Sequence, residues 1–256
     1  MPYITPQGEP LAYTPQRRAR FPFPPQGIPV VVPLIPVWSM FMYDRYHRSV
    51  TNVSASVIYF GCEDYNVYAL NADGTLKWSY ATGGIIKYSS PVVDKSGVVY
   101  IGSYDGYLYA LDANGTLKWR FYTEGGIFHS AAVDLIRGVI YVGSSSFYVF
   151  AIYLDGTEKW RYDTGYYVWS GVTLYDADIY TCNRAGDMFH LTPDGKEVCI
   201  YHAGVVIIIS TPAIDDYGVV YIGARDYNLH AINPDCTLRW TFATGDAIRS
   251  SPSIDV

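Results

Sequence analysis

The sequence predicts an all-β fold, a β-propeller of five four-stranded antiparallel blades, and three periodic features carry that prediction. First, a tyrosine in an apolar strand recurs as Tyr59, Tyr100, Tyr141, Tyr180 and Tyr221, at intervals of 41, 41, 39 and 41 residues. Second, Trp78, Trp119, Trp160 and Trp240 keep the same spacing, with Cys199 at the place of the missing tryptophan. Third, a turn pair recurs as Asp73-Gly74, Asn114-Gly115, Asp155-Gly156 and Asp194-Gly195, and degrades to Asp235-Cys236 in the last copy. The repeats run over about 57–97, 98–138, 139–178, 179–218 and 219–256.

The second copy shows why one repeat makes four strands. SSPVVD (Ser89–Asp94) is an apolar run after a polar start, and GVVYIGS (Gly97–Ser103) follows a charged turn. GYLYALD (Gly106–Asp112) alternates, with Leu108 and Ala110 set against Tyr107, Tyr109 and Leu111, and GTLKWRFY (Gly115–Tyr122) closes the unit. Asn-Gly or Asp-Gly between such segments is a strong hairpin signal, because both turn residues need positive φ. No stretch of 57–256 carries an uninterrupted helical period with caps. Composition agrees: half the 256 residues are apolar and 26 are tyrosine, which packs well on a pleated surface.

Within the unit, Ala69, Ala110, Ala151 and Ala231 are small where the third strand passes close to a neighbouring blade. Trp78, Trp119, Trp160 and Trp240 are structural residues whose place on the outer strand suits wedging between blades. Thr82, Thr123, Thr164 and Thr244 each follow a tryptophan by four and are expected to tie the strand end by a side-chain hydrogen bond.

The run SSPVV…GVVYIGSYDGYLYALDANGTLKWRF resembles the PQQ-like propeller repeat, and the resemblance covers 57–256. That repeat occurs in quinoprotein alcohol dehydrogenases and in the non-enzymatic propeller lipoprotein of the outer-membrane barrel-assembly machinery. The Ala-Leu-Asp…Gly-Thr…Trp run is similar to the family's tryptophan-docking motif. Such a resemblance implies a fold and leaves function to the site. The dehydrogenases imply a quinone, a calcium ion held by carboxylate and amide ligands, a catalytic aspartate, adjacent disulfide-forming cysteines and usually eight blades. This chain has no adjacent cysteines and fewer repeats, so neither cofactor, metal nor catalytic residue is expected. Its aspartates fall mostly in turns, where backbone geometry accounts for them. The histidines are scattered, and His190 and His230 lie in third-strand segments, as packing residues do. The four cysteines, at 62, 182, 199 and 236, form no CxxC pair and suggest neither a disulfide framework nor a zinc site.

Ring closure is the next expectation. SSPSIDV (Ser250–Val256) copies SSPVVDK without following strands, while RSVTNVS (Arg48–Ser54) is a poor innermost strand. Ser250–Asp255 is therefore expected to supply the innermost strand of the first blade and latch a five-bladed ring, which removes open sheet edges. The competing reading is a piece of a longer propeller.

A binding role is read from the loops joining outer to next inner strands and second to third strands, which share one face. They hold Tyr65, Tyr88, Tyr104, Phe128, His129, Phe147, Tyr167, Trp169, Arg184, Arg225, Tyr227 and Arg249, with Lys87 and Tyr166 beside them. Exposed aromatics and arginines are the favoured composition of protein-binding hot spots. A carbohydrate-binding five-bladed lectin and a fragment of a quinone-dependent dehydrogenase are the rival readings.

Residues 1–56 form a distinct arm with ten of the fifteen prolines. Proline fixes φ and removes donors, so the arm is expected to be extended. Its apolar content (Phe21, Phe23, Trp38, Phe41) and its basic cluster (Arg17, Arg18, Arg20) suit an anchor on other protein subunits through about 1–45, as in large assemblies such as virus particles. The arm carries +3 and the remaining chain −9 of the net −6, and that acidic body argues against a nucleic-acid partner. Ile28–Tyr43 is apolar for 16 residues but short and interrupted by Pro33 and Pro36, a poor membrane span. No secretion signal is readable at the start, so the expected setting is cytoplasmic or within an assembled particle.

Overall fold

The computed structural model describes residues 56–204 and 208–255. The chain divides into Met1–Thr51 and Asn52–Val256, and every described residue belongs to the second unit. The arm positions Arg17, Arg18, Arg20, Phe21, Phe23, Trp38 and Phe41 lie outside the described residues.

The described chain contains strands and turns, with no helix among its residues. The first sheet holds β1 (Val57–Gly61), β2 (Asn66–Asn71) and β3 (Leu76–Ala81). Next come β4 (Val92–Val93), β5 (Val99–Gly102), β6 (Tyr107–Leu111) and β7 (Leu117–Tyr122). The third sheet is β8 (Ala132–Asp134), β9 (Val139–Gly143), β10 (Tyr148–Tyr153) and β11 (Glu158–Asp163). The fourth is β12 (Thr173–Tyr175), β13 (Asp178–Cys182), β14 (Asp187–Leu191) and β15 (Glu197–His202). The fifth is β16 (Ala213–Ile214), β17 (Val220–Gly223), β18 (Asn228–Ile232) and β19 (Leu238–Ala243). Strands follow sequence order within every sheet and all pairs are antiparallel. This is the up-and-down blade of a propeller.

The turn glycines and strand-end threonines act as their chemistry predicts, although in each turn pair the glycine alone, and not the Asp or Asn before it, has positive φ. Gly74, Gly115, Gly156 and Gly195 have φ between 76° and 90°, the left-handed turn position that glycine occupies without penalty. Thr82, Thr123 and Thr164 donate through Oγ1 to the carbonyls of Tyr65, Gly106 and Phe147 at 2.7–2.9 Å, fastening the end of each outer strand. The alternation in β6 separates two buried faces rather than a buried and an exposed one. Val99, Ile101, Tyr109 and Leu111 join Val67 and Ile86 on the first-sheet side, while Tyr100, Leu108 and Ala110 join Ile140, Phe150 and Ile152 of the third sheet. Each middle sheet is thus filled from both sides, which is why its second and third strands read as nearly continuous apolar runs.

Tryptophan docking joins the sheets. Trp78, Trp119 and Trp160 donate through Nε1 to the carbonyls of Ala113, Leu154 and Pro193 at 2.9–3.1 Å, each reaching the turn of the next blade. A Cβ placed on Gly115, Gly156 or Gly195 would lie 2.6–2.7 Å from these indoles, so the ring needs a glycine beneath it. Ring and glycine form one device that spans two blades.

Three expectations are corrected. Ser250–Asp255 forms no strand, and β1 is the edge of a sheet with three described strands, so the expected latch is not formed. The segment instead keeps the path it takes after every blade. Ile248 packs on Gly223 as Ile86 does on Gly61, and Thr211 donates its backbone N–H to Ser251 Oγ at 2.9 Å as Ser90 does to Ser130. Trp240, expected as an inter-blade wedge, is 42% exposed and docks on no glycine among the described residues. The third correction concerns cysteine: Cys199 and Cys236 are joined in a disulfide between the fourth and fifth sheets, leaving Cys62 and Cys182 free.

Candidate protein-binding face

The turn between second and third strands, repeated in each blade, places one residue in the left-handed region. Gly106 and Gly186 fill it in the second and fourth blades (φ 86° and 96°). Tyr65, Phe147 and Tyr227 fill it in the first, third and fifth, at φ 74°, 77° and 70°. An L-residue there costs about 1–2 kcal/mol, and a bulky one is unusual. All three side chains point outward, at 51%, 39% and 51% exposure.

Along the same loops the aromatics form a continuous run. Tyr104 meets Phe128 at 4.1 Å between ring centroids, and Phe128 stacks on Trp169 at 4.5 Å. The Arg184 guanidinium lies 3.8 Å from the Trp169 ring centre, a cation–π contact worth about 0.5–2 kcal/mol according to its exposure. Phe147 packs edge-on against Tyr167 at 4.9 Å, and Tyr166 and Tyr167 meet at 5.2 Å. Trp169 Nε1 donates to Ser145 Oγ at 3.2 Å, which fixes the indole's orientation. Arg184 Nε is buried with no acceptor. Six sequence-predicted residues are therefore gathered by stacking: Tyr104, Phe128, Phe147, Tyr167, Trp169 and Arg184.

A second, smaller group lies beside the first two blades. His129 stacks on Tyr88 at 6.0 Å, and Lys87 pairs with Glu63 at 3.2 Å. Burial holds the His129 imidazole below its ordinary value. Burial pushes the Tyr104 phenol up to about 12, with Tyr88 and Glu63 adding to the effect. Arg225 and Arg249 are exposed and join neither group, and Tyr65 and Tyr227 stand singly. Glu63 was not singled out in the sequence, because a lone turn glutamate carries no signal until its partner is placed.

The titratable groups elsewhere hold turns. The Asp73, Asp155 and Asp235 carboxyls sit below the usual range because Thr75, Thr157 and Thr237 donate to them. His202 pairs with Asp187 at 2.7 Å, and His230 bonds Asp226 and Tyr201 at 2.9 Å. The described residues contain no helix long and apolar enough to cross a membrane.

The fold and its docking pairs define a β-propeller of PQQ-like repeats. The family model described as outer membrane protein assembly factor BamB matches residues 36–167, just over half of the 256, and the chain belongs to that family. Among solved structures, the crystal structure of BamB from Moraxella catarrhalis is similar, with a TM-score of 0.61 at 20% identity. The alignment covers 73% of this chain and 57% of that one, so the chain spans little more than half the length of that protein. No curated protein matches the sequence.

Proposed function

We propose that the chain is a non-catalytic propeller scaffold that binds another protein through its loop face and is tethered to a larger assembly by its arm, 1–56. The observation that carries the reading is the trio Tyr65, Phe147 and Tyr227. Folding alone favours glycine at these positions, as Gly106 and Gly186 show, so the exposed rings are kept against a backbone cost that binding would return. The stacked run from Tyr104 to Arg184 offers the rigid aromatic and arginine surface that forms hot spots. Family membership supports a scaffold, since the family's description is that of an assembly factor. Five blades are part of this reading.

The test is quantitative co-purification of the full chain against Trp169→Ala, Arg184→Ala and Phe147→Gly variants of unchanged thermal stability. One protein recovered in fixed proportion with wild type and reduced at least tenfold by the variants is the expected result. Recovery unaffected by all three removes the face from the reading. The lectin alternative rests on the same exposed tyrosines, and glycan-array binding abolished by Tyr65→Gly and Tyr227→Gly would replace the protein partner with a sugar.

A further inference from the structure

The fourth blade departs from the repeat at several positions at once, and the departures meet in one place. The alanine of Ala69, Ala110, Ala151 and Ala231 becomes His190. The docking tryptophan becomes Cys199, directly opposite His190 in the strand register, as Ala151 is opposite Trp160. The glycine on which that tryptophan would rest becomes Cys236 of the next blade. The valine of Val57, Val98, Val139 and Val219 becomes Asp178. Four apolar or small docking positions have thus become an imidazole, two thiol-bearing residues and a carboxylate, at a single inter-blade junction.

Their geometry is that of a ligand set. His190 is 7% exposed, and its Nε2 lies 2.8 Å from Asp178 Oδ2. The Tyr180 hydroxyl also lies 3.0 Å from Nε2, but a hydroxyl can accept as well as donate whereas the Asp178 carboxylate only accepts, so the ring proton sits on Nε2 and the Nδ1 lone pair is left for another partner. Nδ1 faces Cys199 Sγ at 3.8 Å, and the ligand atoms of His190, Cys199 and Cys236 all lie within 4.8 Å of one another. Metal bonds of about 2.3 Å to sulfur and about 2.0–2.1 Å to nitrogen put a tetrahedral nitrogen and sulfur roughly 3.6 Å apart, close to the 3.8 Å between Nδ1 and Cys199 Sγ. The Cα atoms of the two cysteines are 5.9 Å apart, and both side chains are partly exposed, which leaves a fourth position to water.

We infer that the His190–Cys199–Cys236 cluster is a redox-gated site for a thiophilic divalent cation of the zinc class, oriented by Asp178. The sulfurs are joined in this structure, which is the closed state. A dithiol reductant opens it: the S–S bond breaks, two electrons and two protons pass to Cys199 and Cys236, and the dithiol leaves as its own disulfide. Cation binding then displaces the two thiol protons and forms two metal–sulfur bonds and one metal–nitrogen bond. Either state clasps the fourth blade to the fifth where the indole-on-glycine contact is missing.

The full chain, reduced with a phosphine and then freed of it, is titrated with Co²⁺. One equivalent per chain with thiolate-to-cobalt charge-transfer absorption is expected, displaced by Zn²⁺ and absent from the oxidised chain. His190→Ala should weaken binding at least tenfold. The fourfold variant Asp178→Val, His190→Ala, Cys199→Trp, Cys236→Gly restores the repeat, and it should fold and give no charge-transfer band. Alkylation of the wild type read by mass spectrometry needs no variant: Zn²⁺ should protect Cys199 and Cys236 while leaving the rate at Cys62 unchanged. No band in the reduced wild type, a band undiminished by the fourfold change, or equal alkylation with and without Zn²⁺ overturns the assignment.

Discussion

His129 joins the candidate face to the stability of the fold. Its ring lies on Tyr88, and burial keeps the imidazole neutral below its ordinary value of 6.5. The unfolded chain therefore binds more protons than the folded one below 6.5, and stability at this site falls as pH drops through that value. Urea midpoints measured from pH 7.5 to 5.5 should decline more steeply for wild type than for His129→Gln, and parallel curves would show that His129 contributes no linkage. A second residue-scale prediction follows from the backbone. Replacing Tyr65, Phe147 or Tyr227 by glycine removes a left-handed penalty of about 1–2 kcal/mol and adds about 0.5–1 kcal/mol of unfolded-state freedom. Each variant should be as stable as wild type or slightly more so in thermal melts, while partner recovery falls. A destabilised glycine variant would mean that the ring serves packing.

At the scale of the blade, indole on glycine is the joint whose strength can be measured. Trp119 is partly buried, covers Gly156 and donates to Leu154 O at 2.9 Å, whereas Trp240 is 42% exposed and has no described glycine partner. Trp119→Ala should cost about 3 kcal/mol or more in chemical denaturation and Trp240→Ala about 1 kcal/mol or less. Equal losses would show that Trp240 docks on a surface absent from this structure. The blade was the most legible level of the sequence, because Asp-Gly turns, a 41-residue interval and alternating strands are local signals. Strand limits were read too long: Ser89–Asp94 shrinks to Val92–Val93, because the innermost strand pairs with a single partner in its own sheet. The disulfide was invisible for a different reason. Cys199 was noticed as a missing tryptophan and Cys236 as a missing glycine, but their meeting requires knowing that each tryptophan rests on the next blade's turn. Likewise, Tyr65, Phe147 and Tyr227 were chosen as loop aromatics, while their shared left-handed backbone appears only in three dimensions.

For the propeller unit as a whole, the decisive feature is that its five sheets are joined by four cores. The cores lie between first and second, second and third, third and fourth, and fourth and fifth sheets, and none among the described residues joins fifth to first. The two outward faces show it: Ile58 and Phe60 are 51% and 40% exposed at one end, and Trp240 and Phe242 are 42% and 63% exposed at the other. A hollow of about 440 Å³, lined by Tyr221, Leu229, Trp240, Pro252 and Ile254 among others, opens beside the fifth sheet. In a linear array, stability is a sum of unit and neighbour terms, so end units open first. Amide hydrogen exchange should therefore be slowest in β9 and β10, buried on both faces, and fastest in β1 and β19. Reduction of Cys199–Cys236 should speed exchange in β17–β19 and leave β5 and β6 unchanged, because only the fourth-to-fifth junction relies on sulfur in place of a tryptophan. Equal protection of first, third and fifth sheets would instead require a fifth interface, the closed ring that the repeat suggests and Ser250–Asp255 does not form here.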